Sequence, residues 1–393
     1  MVPSGEALPP MVHLTPVADD PTPAARPGLP EPRGPVSERV LEALRGRPGW
    51  VGPQPPIADD PCGEDAQLAL YCCLELRYQG FAGVDPQWEV EPGLAEARNA
   101  LGEAYVERVK EDVGPVDGGT PYEVCAQLVA LAGGDQDDGG GDSDDSDDGP
   151  SLSAWLDACG TLDQLREFAI HRSAYQLKEA DPHTYALPRL PAGRAKAAYV
   201  EIQTDEYGEG EPGAAHQELF AATLRALGLD DRYGAYLDRL PAPTLATVNL
   251  LSWFGTSRRW LGACVGHLAL FEMTSVGPMG RYAAAVRRLT GGDAGAEFYD
   301  VHVEADEHHQ RLAVDGLVRP LVAEEPGLAA DVVFGARALS VVEGRLTAHL
   351  LDSWAAGRTS LRVSGAPGPT AAAGPPTPAA SAATPALGRT GRG

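Results

Sequence analysis

From Ser37 to about Ala132, and again from Ser151 to Val363, apolar residues recur every three or four positions, and almost no run alternates as a strand would. Segments such as SERVLEALRG, DAQLALYCCLELRYQGF and GLAEARNALGEAYVERVKE carry that period, which confines the chain to an all-α fold. The second segment is broken at ADPHTYALPRLPAG, YGEGEPG, DRLPAP, TSVGPMG and TGGD, where Pro and Gly interrupt helices. No GxGxxG, P-loop, GxSxG or HExxH motif occurs. Chemistry must therefore come from side chains projecting between packed helices.

Composition sets the domain boundaries. The chain holds 46 Gly and 35 Pro in 393 residues, too many for a compact helical domain throughout. Residues 1–36 carry Pro every few positions and few periodic apolar residues, which predicts a disordered Pro-rich N-terminus. An N-terminal helical region follows at 37–132, then an acidic Gly/Asp linker at 133–150, a helical domain at 151–363 and a disordered Ala/Pro/Gly tail at 364–393. The linker, GGDQDDGGGDSDDSDDGP, has eight aspartates and no basic residue. No register of it places a Gly sixth and a Glu twelfth as an EF-hand loop requires, so a solvated linker is expected.

With 31 basic and 56 acidic side chains the net charge is −25, which disfavours nucleic acid and anionic membranes as partners. The six cysteines form no CxxC pair and no regular framework. The opening MVPSGEALPP lacks the basic and apolar regions of a secretory signal, and the most apolar stretch, Trp260 to Phe271, is too short to cross a bilayer. A cytoplasmic protein is expected.

The sharpest constellation is FYDVHVEADEHHQRL. His302, Asp306 and His309, at i, i+4 and i+7, fall within an arc of roughly 60° beside Phe298 and Ala313, while Glu304, Glu307 and His308 point away. One face thus offers two imidazoles and a carboxylate among apolar neighbours; chance spacing on a solvated helix is the competing reading. Further carboxylates sit on apolar stripes, where burial is expensive without a cation or hydrogen bonds. Glu179 shares a face with Leu165, Phe168 and Tyr175, Glu206 with Ala195, Tyr199 and Ile202, and Glu272 with Leu261, Val265 and Leu268. His216 heads a stripe through Phe220 and Leu224. Each alone also fits a surface or helix-end residue, and Arg172 near the Glu179 face offers a simple ion pair.

Taken together, four carboxylates and three imidazoles over several helices match what two iron ions require: mixed O/N ligation without thiolates. The Glu-x-x-His pairs of the ferritin-like template are absent, so the scaffold is a different one.

The sequence resembles the haem-oxygenase-like diiron oxidases and oxygenases, especially actinobacterial proteins known as iron-containing redox enzymes. The resemblance rests on YQLKEADPHTYALPRL, EIQTDEYGEGEPGAAHQELF, GHLALFEMTS and HVEADEHH, spans roughly residues 160–355, and extends more weakly to QLALYCCLELRYQGFAGVDPQWEV at 67–90. It implies a haem-oxygenase-like helical bundle with an N-terminal helical extension. It also implies Glu179, Glu206, His216, His302, Asp306 and His309 as six core metal ligands, with Glu272 as an additional carboxylate and no catalytic residue beyond the ligands. The implied cofactor is a pair of non-haem Fe ions with O2 as cosubstrate, acting through a peroxo-diferric species on a small-molecule substrate such as an amine, an amino acid or a fatty acid. An external electron donor is expected, since no flavin or nicotinamide fingerprint is present. Two rivals remain at this point: a non-catalytic helical binding protein, and a metal-free enzyme of the same fold.

Between Glu206 and His216, Gly208, Gly210, Pro212 and Gly213 make a continuous helix implausible, so the segment should unwind between its two candidate ligands and be ordered by metal. At least one iron should consequently be held loosely. Trp253, Phe254, Trp260 and Tyr282 either line a pocket or pack in the core, the simpler reading, and Cys264 between Ala263 and Val265 reads as core. The apolar stripes of 37–132 require cover from the second segment or from another subunit, leaving a homodimer open.

Overall fold

The computed structural model describes residues 26–50, 52–55, 58–136 and 151–363, and the expectations for 1–25, 137–150 and 364–393 lie outside the described residues. Every regular element among the described residues is helical.

The N-terminal region contributes α1 (Pro35–Leu44), α2 (Glu64–Glu75), α3 (Pro92–Val113) and α4 (Pro121–Gln136). Pro opens α1, α3 and α4, at the position where a missing N–H costs least. Gly114, at φ 72°, stops α3 in a conformation a side chain resists. Structure begins earlier than Pro and Gly content suggests. Leu29 packs against buried residues of the core, the Ala82 N–H donates to the Pro27 carbonyl (2.8 Å), and Arg33 pairs with Glu64 (2.8 Å) and donates to the Leu237 carbonyl (2.9 Å). These are contacts with distant elements, which leave no periodic trace in sequence. At the other boundary, α4 runs on to Gln136, into the segment read as linker.

The second region contributes α5 (Leu152–Ala158), α6 (Leu162–Gln176), α7 (Asp181–Thr184), α8 (Arg194–Glu206), α9 (His216–Ala226), α10 (Ala242–Thr256), α11 (Leu261–Thr274), α12 (Val276–Thr290), α13 (Glu297–Arg311), α14 (Arg319–Glu324) and α15 (Ala329–Ala355). A π-helical stretch, Leu312–Val318, joins α13 to α14. Helix α11 lies along α15 with backbones in contact: a Cβ on Gly266 would sit 1.8 Å from the Val332 carbonyl oxygen, and one on Gly335 2.0 Å from that of Ala263. Only glycine permits that approach, which sets the position of α11 and of Glu272 near its end.

Three apolar clusters surround this pair. Leu41, Leu44, Leu68 and Cys72 of α1 and α2 pack with Leu245, Val248 and Leu251 of α10, so the stripes of the N-terminal region are covered by the chain's own second segment. A buried ion pair reinforces the junction, Lys178 Nζ donating to Glu75 Oε2 at 2.7 Å with Tyr78 4.2 Å from the ammonium. Trp253, Phe254 and Trp260 belong to the central cluster, and Tyr282 packs on Phe168 in a third beside α12 and α13.

Candidate metal centre

Five elements converge on one point. Glu179 sits in the turn between α6 and α7; Glu206 is the last residue of α8 and His216 the first of α9; Glu272 lies near the end of α11; His302, Asp306 and His309 form one face of α13. All seven are buried. The predicted break in the Glu206–His216 segment is present: α8 ends at Glu206, a short 3-10 turn spans Gly208–Gly210, and Gly208, Gly210 and Gly213 all take positive φ. The break carries the chain back so that His216 Nδ1 lies 2.9 Å from Glu206 Oε2.

Two groups emerge, each with its ligand-type atoms within 4.8 Å of one another: Glu179, Glu206, His216 and His302, and then Glu272, Asp306 and His309. In the first, His302 Nδ1 donates to the Phe298 carbonyl (2.6 Å), which turns Nε2 towards Glu179 Oε1 at 3.5 Å. The His216 and His302 rings lie 4.2 Å apart. In the second, His309 Nδ1 is 3.1 Å from Glu272 Oε2 and 3.3 Å from Asp306 Oδ1. Both groups face a single cavity, lined by Glu179, Glu206, His302, Glu272 and Asp306 on its polar side and by Tyr175, Leu268 and Phe271 on its apolar side.

The electrostatics are those of a site built for cations. Burial pushes the Glu179 carboxyl above its ordinary value despite the attraction of His302. Burial and the neighbouring Asp306 drive Glu272 well upward. Glu206, although buried, is held down to about 2 by His216 and His302. Against the effect of burial, the carboxylates lift His302 to about 10 and His309 to about 11, and raise His216. In the absence of metal the imidazoles hold protons that offset the acids.

The donor set fits metal ions. Glu179 Oε2 and His302 Nε2 are buried without any hydrogen-bond partner, a costly state that a shared cation relieves. The ion pair considered for Glu179 is not formed, since Arg172 instead grips Glu343 through two hydrogen bonds of 2.7 and 3.0 Å. Carboxylate and imidazole donors without thiolate suit iron. Cys264, the cysteine of the second helical segment that lies in the core, has its thiol pushed up to about 12 by burial, beside the Tyr199 hydroxyl at 3.8 Å. A nucleophilic thiolate is therefore disfavoured there. None of Trp253, Phe254, Trp260 or Tyr282 lines the cavity, so the core reading of those aromatics describes them.

His183 and Gln203 also line the cavity, and two further polar residues bond directly to the donor groups; none of the four is singled out by sequence. Ser275, after α11, donates to Asp306 Oδ2 at 2.5 Å. Asp205 accepts from His309 Nε2 at 2.7 Å. Asp205 directly precedes Glu206 on a helix whose exposed face already carries Glu201, so periodicity alone assigns it to solvent.

Residues 166–343 match a family described as iron-containing redox enzyme. A stretch of 144 residues is 27% identical to nitrosourea synthase from Streptomyces achromogenes subsp. streptozoticus, covering 36% of this chain and 31% of that protein. The chain thus spans under a third of the length of the curated relative it matches.

Proposed function

Because residues 166–343 match the iron-containing redox enzyme family, we propose that the chain is a non-haem diiron oxidase or oxygenase that uses O2 to oxidise a small organic substrate. The observation that carries this reading is the convergence of two separate buried donor groups on one cavity. A single-metal site would leave three or four buried ionisable side chains without a task.

Glu179, Glu206, His216 and His302 would hold one ion, and Glu272, Asp306 and His309 would hold the other. When bound, the pair would supply the redox chemistry of dioxygen reduction, and the four carboxylates would offset the four positive charges of two ferrous ions. The protein's own share is positioning and exclusion. The Phe298 carbonyl fixes the His302 ring so that Nε2 faces the cavity. Ser275 donates to Asp306 Oδ2 and leaves its Oδ1 facing the His309 ring. Leu268, Phe271 and Tyr175 form the apolar wall against which substrate carbon packs, keeping bulk water from the reacting atoms. Electrons come from an external reductant.

Amines, amino acids and fatty acids are the substrate classes to screen, amines first because the matched relative is a nitrosourea synthase. Iron-loaded protein with a chemical reductant should couple O2 uptake to formation of an oxidised product from one of these classes. A binding protein without catalysis would consume no O2 above the free-iron background with any of them.

A further inference from the structure

Asp205 is the one carboxylate at the centre that faces away from the cavity, and its contact is specific. The His309 ring is engaged at both nitrogens: Nδ1 faces Glu272 and Asp306 at 3.1 and 3.3 Å, while Nε2 meets Asp205 Oδ2 at 2.7 Å. The His309 side chain is fully buried and that of Asp205 is 32% exposed. An aspartate about one-third exposed has water as an alternative partner, so its retention on the imidazole reflects a charge-assisted hydrogen bond.

We propose that Asp205 is the positioning residue of the three-residue metal group: by accepting the Nε2 proton of His309 it fixes the tautomer that presents a bare Nδ1 to the metal shared with Glu272 and Asp306. This rests on the diiron reading above. Carboxylates behind ligating imidazoles hold the ring orientation and raise the basicity of the ligating nitrogen. His302 shows the same logic with a different acceptor, its Nδ1 held by the Phe298 carbonyl and its Nε2 turned to Glu179.

The position of Asp205 gives the contact a second consequence. Asp205 and Glu206 are consecutive at the last turn of α8, and they serve different groups: Glu206 meets His216 and Asp205 meets His309. One helix end therefore supplies Glu206 to one group and a contact from Asp205 to the other, immediately before the break at Gly208. One turn earlier, Glu201 makes an outlying contact between the same two helices, reaching His308 Nε2 at 2.9 Å with both side chains exposed. Asp205 is thus the inner of two links between α8 and α13, and Glu201 supplies the control.

The test uses the full chain, stripped of metal and titrated anaerobically with Co(II), whose d–d absorption reports occupancy. Wild type and Glu201→Ala should each bind two equivalents alike. Asp205→Ala should keep one equivalent and bind the second roughly 10- to 100-fold more weakly. Asp205→Asn, which retains an acceptor oxygen, should recover most of that loss. In proton NMR of the Co(II) protein, wild type should show a hyperfine-shifted, solvent-exchangeable N–H for His309 that Asp205→Ala loses. Helical circular dichroism of the metal-free variants should match wild type. Two equivalents bound by Asp205→Ala with wild-type affinity would overturn the assignment, as would equal weakening at both sites or in Glu201→Ala. Failure of wild type itself to bind cobalt or iron would instead reject the diiron reading.

Discussion

Glu206 closes α8 and His216 opens α9, yet across the intervening break their side chains meet at 2.9 Å, with Oε2 of one facing Nδ1 of the other. The connection between them is held by short-range turns at Gly208–Gly210 and by glycines at positive φ, with the residues from Glu209 to Ala214 largely exposed. Such a segment contributes little burial energy of its own, so its order depends on what its two ends bind.

Metal should therefore order this segment. Hydrogen–deuterium exchange of amides 207–215 is expected to slow on addition of Fe(II) or Co(II), while amides in the middle of α15 change little. Equal protection with and without metal would separate the break from the metal site.

Removal of single donors should distinguish the two groups. His302→Ala is expected to lower bound iron from two to about one per chain by elemental analysis, because it deletes the donor facing Glu179. Glu272→Ala should weaken the other ion, and the double variant should bind neither.

The Lys178–Glu75 pair adjoins Glu179 and is buried on both sides. Lys178→Met leaves the Glu75 charge unpaired and should cost about 3–5 kcal/mol in denaturant unfolding. Pairing it with Glu75→Leu should return a large part of that loss, since the uncompensated charge is then gone.

Helix contact at glycine offers a test of how the scaffold positions Glu272. Gly266→Ala forces a methyl group against the Val332 carbonyl, where backbone rather than a flexible side chain must yield. A loss of about 1–3 kcal/mol or more is expected, read as a lowered melting temperature.

Protonation of a buried neutral histidine should shape the acid limb of stability. His171 lies between the Thr244 and Ser360 hydroxyls (2.6 and 3.0 Å), and burial, with His349 nearby, holds it down to about 3. Its folded value lies below the ordinary one near 6.5, so the folded state binds fewer protons. The contribution is complete above about pH 6.5 and is lost as pH falls towards 3. Between pH 7.5 and 5, wild type should lose about 2 kcal/mol through this group, and His171→Gln should show a correspondingly flatter dependence of melting temperature on pH.

What sequence conveys here is what recurs along a single helix. The spacing of His302, Asp306 and His309 places them on one face whatever surrounds α13, and the glycines after Glu206 announce a break regardless of where it leads. The pairing between helices is not local. That Glu272 stands with Asp306 and His309 and that Asp205 reaches His309 follow from how α8, α11 and α13 cross, and that Arg172 turns to Glu343 follows from how α6 meets α15. The packed stretch at 26–34 escaped for a similar reason: its order derives from Arg33 and Leu29 contacting residues far along the chain, which Pro-rich composition conceals.

The most direct test of the central claim is anaerobic loading of the metal-free chain with Fe(II), followed by elemental analysis and mixing with O2 in a stopped-flow spectrometer. Two bound irons per chain and a transient visible absorption band on mixing are the predicted result. No bound iron and no band would contradict the account.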